Sequence, residues 1–195
     1  MDETTRRAFS IANIQDGSNR LELHIGGAKQ SQYLADILGY LHNAYHQGQR
    51  LLIDAPHGCA WLRENSERPL LLIAGGTGFS YIQSILRYSL NHYPERDVYL
   101  YWGGCYQEHL YFDDEVTALS QEYEHLTYIP VVEKASAGWF GKIGQVINVV
   151  YDNFQSLEDM DIYLCGSRDM VCGARYCFVR YRKAVISRVI SDALM

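Results

Sequence analysis

The 195-residue sequence lacks several features that mark whole classes of protein. No apolar run approaches the length of about 20 residues that a membrane-spanning helix needs, and the N-terminal residues have no apolar signal-peptide core. Basic residues are too few for a nucleic-acid surface: Lys and Arg number 17 against 23 Asp and Glu, with a net charge of −6 and no basic cluster. We therefore expect a cytoplasmic protein that has neither a membrane nor a nucleic acid as its partner.

The sequence also lacks the cysteine and histidine spacings of a metal site. Its five cysteines are odd in number and contain no Cys-x-x-Cys pair, which argues against a zinc site or a disulfide framework and favours reduced thiols. The seven histidines are scattered along the chain. His24 and His57 could line a pocket or could be ordinary, partly buried histidines, and both interpretations stay open. We expect no bound metal.

Glycine, by contrast, is concentrated in one informative stretch. Residues 70–80 read Leu-Leu-Leu-Ile-Ala-Gly-Gly-Thr-Gly-Phe-Ser, which predicts a buried parallel strand, a glycine turn and the start of a helix. Glycine permits a positive φ and a close approach of the backbone to a ligand, and it stands here at positions 75, 76 and 78. The free N–H groups and partial positive charge of a helix start favour an anion, most often a phosphate.

Two common phosphate-binding loops do not fit this stretch. No Lys-Ser or Lys-Thr pair follows the glycines, so it is not the loop of the nucleoside triphosphatases. Tyr81 stands where the third glycine of a Gly-x-Gly-x-x-Gly fingerprint would be. The alternative is a tight strand-to-helix turn that binds nothing, although such a turn rarely contains three glycines and a threonine.

The pattern of strands and helices changes at Pro69. Before it, residues 9–12, 21–25 and 51–53 are strand-like and residues 33–45 are helical. After it, strands at 70–74, 98–102, 126–132 and 162–165 alternate with helices at 79–93, 112–123, 144–153 and 168–182. This alternation predicts an α/β fold with a doubly wound, mostly parallel sheet of about five strands, of which four are clear. Ligands of such a sheet bind at the carboxyl ends of its strands.

Several segments together resemble one family. Arg7-Ala8-Phe9-Ser10 and the segments at residues 21–26, 55–58, 74–80, 101–104 and 165–170 occur in the order seen in bacterial NAD(P)H:flavin oxidoreductases. These belong to the ferredoxin–NADP reductase superfamily, and the chain is most similar to the flavin reductases of the luciferase-operon type and their general-purpose relatives. The resemblance implies a partial flavin-binding β domain in residues 1–66, an incomplete antiparallel barrel, and an NAD(P)-binding α/β domain in residues 67–195.

The resemblance also implies which residues bind the two substrates. On the flavin side, Arg7 would hold the ribityl or phosphate end, Phe9 would lie against the ring system and Ser10 would reach the nitrogen that accepts hydride. His24 joins this cofactor-binding set if it lines a pocket. The nucleotide diphosphate would lie on Gly75, Gly76, Thr77, Gly78, Phe79 and Ser80, and the nicotinamide would lie beside Cys165, Gly166 and Met170.

Two functions remain open at this point. An active enzyme would use NADH or NADPH to reduce free FMN, FAD or riboflavin by hydride transfer from the nicotinamide to flavin N5, with Ser10 as its catalytic residue. The flavin would be a substrate rather than a tightly bound group, and reduced FMN could pass to a luciferase or another acceptor. The alternative is a catalytically impaired, nucleotide-binding remnant of a flavin reductase, because the resemblance begins partway through the family's flavin-binding domain.

Overall fold

The computed structural model describes residues 6–26 and 31–194. One helix precedes a region in which strands and helices alternate. The strands of that region are β1 (Leu70–Gly75), β2 (Val98–Gly104), β3 (Leu126–Val132), β4 (Lys142–Ile143), β5 (Asp161–Cys165) and β6 (Val189–Ile190). The helices are α1 (Gln32–His46), α2 (Phe79–His92), α3 (Asp113–Glu122), α4 (Val146–Asn153) and α5 (Arg168–Tyr181). Short 3₁₀ turns cover Gly76–Gly78, Gln107–His109, Ile186–Arg188 and Asp192–Leu194.

All six strands form one parallel sheet in the order β4-β3-β2-β1-β5-β6. The four strands predicted from the sequence are its centre, which confirms the α/β fold class. The prediction of five strands was wrong by one, because β4 and β6 are two-residue edge strands. Segments that short show no hydrophobic periodicity, so the sequence pattern cannot reveal them.

Two hydrophobic cores lie on the two faces of this sheet. Successive side chains of β1 point to opposite faces, so Leu70 and Leu72 pack in one core while Leu71 and Ile73 pack in the other. The first core includes apolar residues of α2 and α3, and the second includes apolar residues of α4 and α5. Burial on both faces explains why β1 reads as a continuous apolar run, and helices on both faces make the sheet doubly wound.

The strand order reverses beside β1. From β1 the chain builds outward through β2 and β3 to β4, and it then returns to place β5 on the other side of β1. Such a reversal opens a crevice outside the carboxyl ends of the two strands, which is where open α/β sheets bind ligands. Here that crevice lies between the Gly76–Gly78 turn that follows β1 and residues 166–167 that follow β5.

The part of the chain before β1 holds less sheet than its sequence predicts. Residues 9–12 and 21–25 meet in a single antiparallel bridge between Ile11 and Leu23, supported by the Ala12 N–H donating to the Glu22 carbonyl at 2.9 Å. The strand predicted at residues 51–53 was wrong, since it pairs with no other described segment and Leu52 is fully exposed. A strand forms only where a neighbouring backbone completes its hydrogen bonds, which local sequence does not specify.

Candidate active site

The glycine turn connects β1 to α2 as the sequence predicts, but its three glycines serve different purposes. Only Gly76 has a positive φ, of +53°, in the left-handed region that favours glycine. Gly75 and Gly78 have φ values of −112° and −58°, so the expectation of positive φ at these two positions was wrong. At Gly75 and Gly78 the missing side chain makes space instead.

That space is needed because the ends of β1 and β5 nearly touch. A Cβ at Gly78 would overlap the carbonyl group of Cys165, and one at Gly75 would lie 2.8 Å from the sulfur of Met170. A Cβ at Gly166 would lie 2.6 Å from the terminal methyl of the same methionine. The structure therefore brings together the predicted diphosphate residues and the predicted nicotinamide residues Cys165, Gly166 and Met170, in one crevice at the reversal of strand order.

The glycine turn is attached to the core by an aromatic pair. The rings of Phe79 and Trp102 stack with centroids 3.8 Å apart and planes 10° apart, and both residues are at most 1% exposed. The Trp102 indole N–H donates to the Gly76 carbonyl at 3.0 Å, and the Phe79 backbone N–H donates to the same carbonyl. Phe79 thus packs the turn and uses its amide inside it, in place of the predicted diphosphate contact, and Ser80 is also buried.

The N–H groups at the start of the turn remain suited to an anion. Within a 3₁₀ turn that begins at Gly76, the first backbone N–H groups precede the internal hydrogen bonds. Neither this turn nor α2 has a side chain capping its first N–H groups. Gly76, Thr77 and Gly78 are partly exposed, so this end of the helix offers donors and partial positive charge to a diphosphate. The residues present fit the nucleotide that the sequence predicts.

A second group of polar side chains lies beside the same crevice. The Ser10 hydroxyl donates a hydrogen bond of 2.6 Å to the carboxylate of Asp192, which lies 182 residues further along the chain. Burial raises the pKa of the Cys165 thiol, and the charge and hydrogen bond of Asp192 raise that pKa further. Cys165 therefore stays a neutral thiol and is no nucleophile. Asp192 joins the segment that contains Ser10 to the end of β5.

Asp192 and Trp102 were missed as site residues by sequence reasoning. Asp192 belongs to a short C-terminal turn, and no local pattern shows that it contacts Ser10. Trp102 had a usable signal, because it belongs to a motif segment and shares one buried face of β2 with Leu100. Its hydrogen bond to the turn, however, depends on how β2 pairs with β1, which the sequence does not state.

His24 is placed in an aromatic cluster rather than in an open pocket. Its side chain is 9% exposed and its ring lies beside those of Phe79, Tyr111 and Phe112, with centroids 5.3–6.4 Å away. One ring nitrogen is 2.8 Å from the Tyr111 hydroxyl and the other is 2.7 Å from the Glu22 carboxylate. Both nitrogens are thus satisfied within the protein, and direct cofactor binding by His24 stays a prediction.

The other predicted flavin residues lie at the surface. The Arg7 guanidinium lies 5.1 Å from the centre of the Tyr33 ring and donates to the neighbouring Arg6 carbonyl at 3.0 Å. Phe9 is 36% exposed, so its ring is available to a ligand. Both roles stay predictions. Across residues 6–26 and 31–194, His, Cys, Asp and Glu side chains form no group of three that could hold a metal ion.

Known proteins are similar to this chain in sequence family and in fold. The family model described as the oxidoreductase NAD-binding domain matches residues 72–175, more than half of the chain. A cytochrome P450 reductase from Amycolatopsis is similar in structure with a TM-score of 0.77 and 26% identity, over 96% of this chain and 56% of that one. A ferredoxin NADP+ reductase from Neisseria gonorrhoeae, solved with FAD and NADP, gives a TM-score of 0.68 at 19% identity, over 90% of this chain and 72% of that one. The fold and the crevice thus define an oxidoreductase NAD-binding domain.

Sequence relatives narrow the family. An NAD(P)H-flavin reductase of Aliivibrio fischeri is 43% identical over 194 residues, which are 99% of this chain and 82% of the relative. A probable flavin reductase of Photobacterium leiognathi is 44% identical over 185 residues, which are 95% of this chain and 79% of the relative. The chain belongs to the family of NAD(P)H-flavin reductases, which are oxidoreductases. In the described part of the chain, no helix is long and apolar enough to cross a membrane.

Proposed function

We propose that the chain reduces free FMN, FAD or riboflavin with NADH or NADPH, and that the reaction takes place in the crevice between β1 and β5. The observation that carries this proposal is the contact of Ser10 with Asp192, 2.6 Å long, beside Cys165. It connects the segment predicted to bind flavin with the strand end predicted to meet the nicotinamide. The hydride itself is supplied by the bound nicotinamide and accepted by the bound flavin.

The protein's own contribution is to position the two substrates and to shield their reacting atoms from water. The Ser10 hydroxyl donates to Asp192, so its oxygen is held in one orientation with lone pairs left for a ligand. The carboxylate fixes that orientation from the C-terminal turn. Cys165 is 9% exposed and packs as a neutral, largely apolar group at the end of β5, which helps to exclude water from the reacting edge. The backbone N–H groups of the glycine turn would hold the diphosphate.

The destination of the reduced flavin is part of the proposal. We infer that it leaves as a diffusible product and reaches an acceptor enzyme in the cytoplasm, such as a luciferase. The support is that relatives of this chain occur as flavin reductases in Aliivibrio fischeri, Vibrio harveyi and Photobacterium leiognathi. The pairing of the two parts of the chain, residues 1–66 for flavin and residues 67–195 for nucleotide, is likewise proposed from the family resemblance.

A replacement at Ser10 tests the assignment. With purified protein, NADH or NADPH and excess FMN, we expect loss of the reduced nicotinamide's absorbance, and we expect Ser10→Ala to lower kcat by about 10- to 100-fold with a smaller change in KM for flavin. Ser120→Ala is the control, since its hydroxyl donates to the Thr117 carbonyl of its own helix.

The possible outcomes separately test the role of Ser10, the enzymatic activity and the assignment of the glycine turn. Turnover that Ser10→Ala leaves unchanged would remove the catalytic role of Ser10 and keep the enzyme. No turnover by the unaltered protein, with nucleotide binding retained in a titration, would favour the nucleotide-binding remnant. The titration measures NAD+ or NADP+ binding by calorimetry, so it does not depend on flavin. No nucleotide binding at all would refute the assignment of the glycine turn.

A further inference from the structure

We infer that Trp102 is a positioning residue for the nucleotide: its indole N–H sets the direction in which the glycine turn presents its backbone N–H groups. This inference rests on the proposed binding of the nucleotide diphosphate at that turn. Trp102 itself is fully buried and does not touch the ligand in this proposal. It acts through one hydrogen bond, from its indole nitrogen to the Gly76 carbonyl at 3.0 Å.

The geometry of a peptide unit gives the hydrogen bond its effect. The C=O of one residue and the N–H of the next belong to the same planar, trans peptide and point in opposite directions. A Gly76 carbonyl held inward on Trp102 therefore turns the Thr77 N–H away from the core and toward the carboxyl edge of the sheet. That N–H precedes the internal hydrogen bonds of the turn, so it is one of the donors left for an anion.

The turn needs such a restraint because Gly76 is conformationally free. Its φ of +53° lies in the left-handed region, and no atom outside its immediate chain neighbours comes within 4 Å of the position of a Cβ. Glycine visits several regions of φ with similar ease, so packing alone does not choose this one. The Gly76 carbonyl instead accepts two hydrogen bonds, from Trp102 and from the Phe79 backbone.

Trp102 is held firmly enough to serve as the fixed end of this contact. One face of its ring stacks on Phe79, the first residue of α2, with centroids 3.8 Å apart. Tyr111 meets it edge-on with centroids 5.1 Å apart and planes 88° apart. The Trp102 backbone pairs with Ala74 in the β1–β2 ladder, directly before the turn. One side chain thus fixes both the turn and the start of the helix that follows it.

Replacement of the donor alone tests the inference. Trp102→Phe keeps an aromatic ring on Phe79 and removes the indole N–H. We expect the Kd for NADP+ and NAD+, measured by titration calorimetry without flavin, to rise by about 10-fold, the effect of losing one well-placed hydrogen bond. In turnover assays KM for the reduced nucleotide should rise in parallel while kcat changes by no more than about 2-fold, because the reacting groups lie at the other end of the nucleotide.

The matched control is Tyr101→Phe, which removes one side-chain hydrogen bond from the opposite face of the same strand. The Tyr101 hydroxyl accepts from the Asn153 amide at 2.9 Å and is remote from the turn. A loss of strand stability would affect both variants, whereas the proposed mechanism affects only Trp102→Phe. Equal nucleotide affinities for Trp102→Phe and the unaltered protein would overturn the inference, and so would an equal loss in the two variants.

A second variant covers the case in which phenylalanine leaves too large a cavity. Benzothienylalanine at position 102 keeps the two-ring shape of tryptophan and replaces only the N–H group with sulfur. It should fold like the unaltered protein and show the same rise in Kd, and unchanged affinity would overturn the inference. If the unaltered protein itself binds no nucleotide, the proposed function fails and this inference fails with it; if the unaltered protein binds nucleotide and Trp102→Phe binds it equally well, only this inference fails, so the two failures are distinguishable.

Discussion

Two glycines of the same turn should lose stability on replacement by alanine for different physical reasons and by different amounts. Gly78 has an ordinary φ of −58° and no room, since its Cβ would overlap the Cys165 carbonyl oxygen and lie 2.6 Å from the carbonyl carbon and 2.9 Å from the Gly166 nitrogen. Gly76 has a φ of +53° and ample room. Gly78→Ala therefore acts by overlap, and Gly76→Ala acts by backbone strain.

The structure sets the size of each effect. The atoms that oppose a Cβ at Gly78 are the backbone of β5, which the β1–β5 ladder holds in place, so the overlap should cost about 3 kcal/mol, the upper part of the usual range for overpacking. At Gly76 the left-handed conformation costs about 1–2 kcal/mol for alanine, partly offset by the lower entropy of the unfolded chain, for a net loss of about 1 kcal/mol. For a chain of this size these losses lower Tm by about 6–12 °C and about 2–4 °C.

For nucleotide binding the order of the two effects should reverse, with Gly76→Ala weakening the binding more than Gly78→Ala. The methyl group at Gly76 would occupy open space at the edge where we place the diphosphate, so Gly76→Ala should weaken NADP+ binding while the fold stays nearly intact. Thermal melts and titration calorimetry measure the two effects. Gly173→Ala is the control, because this exposed glycine lies in α5 with nothing within 4 Å of its Cβ, and alanine there should stabilise slightly.

Either of two results in the thermal melts would contradict these expectations. A Gly78→Ala protein that melts like the unaltered protein would mean that the ends of β1 and β5 are not as close as the structure shows. A Gly76→Ala protein that is less stable than Gly78→Ala would mean that strain outweighs overlap at this turn. Unchanged nucleotide affinity in Gly76→Ala would leave the packing argument intact and remove the diphosphate from this position.

Two further predictions concern charges away from the crevice. Arg96 donates to Asp161 at 2.9 Å, and both side chains are 5% exposed. Arg96→Ala should therefore lower the free energy of unfolding by about 3–5 kcal/mol, whereas Arg87→Ala, at a solvent-exposed ion pair, should lower it by at most about 1 kcal/mol. Equal losses for the two variants in urea titrations would contradict this prediction. The hydrogen bond that the His125 ring donates to the Asp97 carboxylate raises the pKa of His125 above its ordinary value of 6.5. Protonated His125 therefore stabilises the fold fully below the unfolded pKa and loses this contribution as pH rises through the folded pKa, so the gap in Tm between the unaltered protein and His125→Gln should narrow from about pH 6 to about pH 8. A constant gap would refute the assignment.

The central strands were predictable because their buried apolar side chains are consecutive in the sequence. The apolar run of β1 with glycines after it, and the regular return of similar runs, define a parallel sheet without any knowledge of distant contacts. Helix α1 was predictable for a similar local reason, since its apolar residues recur at helical spacing and Ser31 caps its first turn by accepting from the Leu34 N–H at 3.3 Å.

Contacts between distant segments were not predictable in the same way. Ser10 was identified by resemblance alone, and its partner Asp192 lies in a short turn that no local pattern connects to Ser10. The strand expected at residues 51–53 has the right composition, but composition does not supply a second backbone to pair with. His24 shows the same limit, because its aromatic and carboxylate neighbours come together only after the chain has folded.

The register between β1 and β5 explains why the crevice tolerates so little change. Ala74 pairs with Cys165, so the two strands end level and Gly75 lies next to Gly166. A slip of one residue would break the pairing of Ala74 with Cys165 and would move every buried side chain of β5 to the other face. The packing that fixes the register is therefore the packing that aligns the glycine turn with the residues predicted to meet the nicotinamide. In the proposed function, stability and substrate alignment depend on the same few atoms, and glycine, with no side chain, stands on both sides of this crevice.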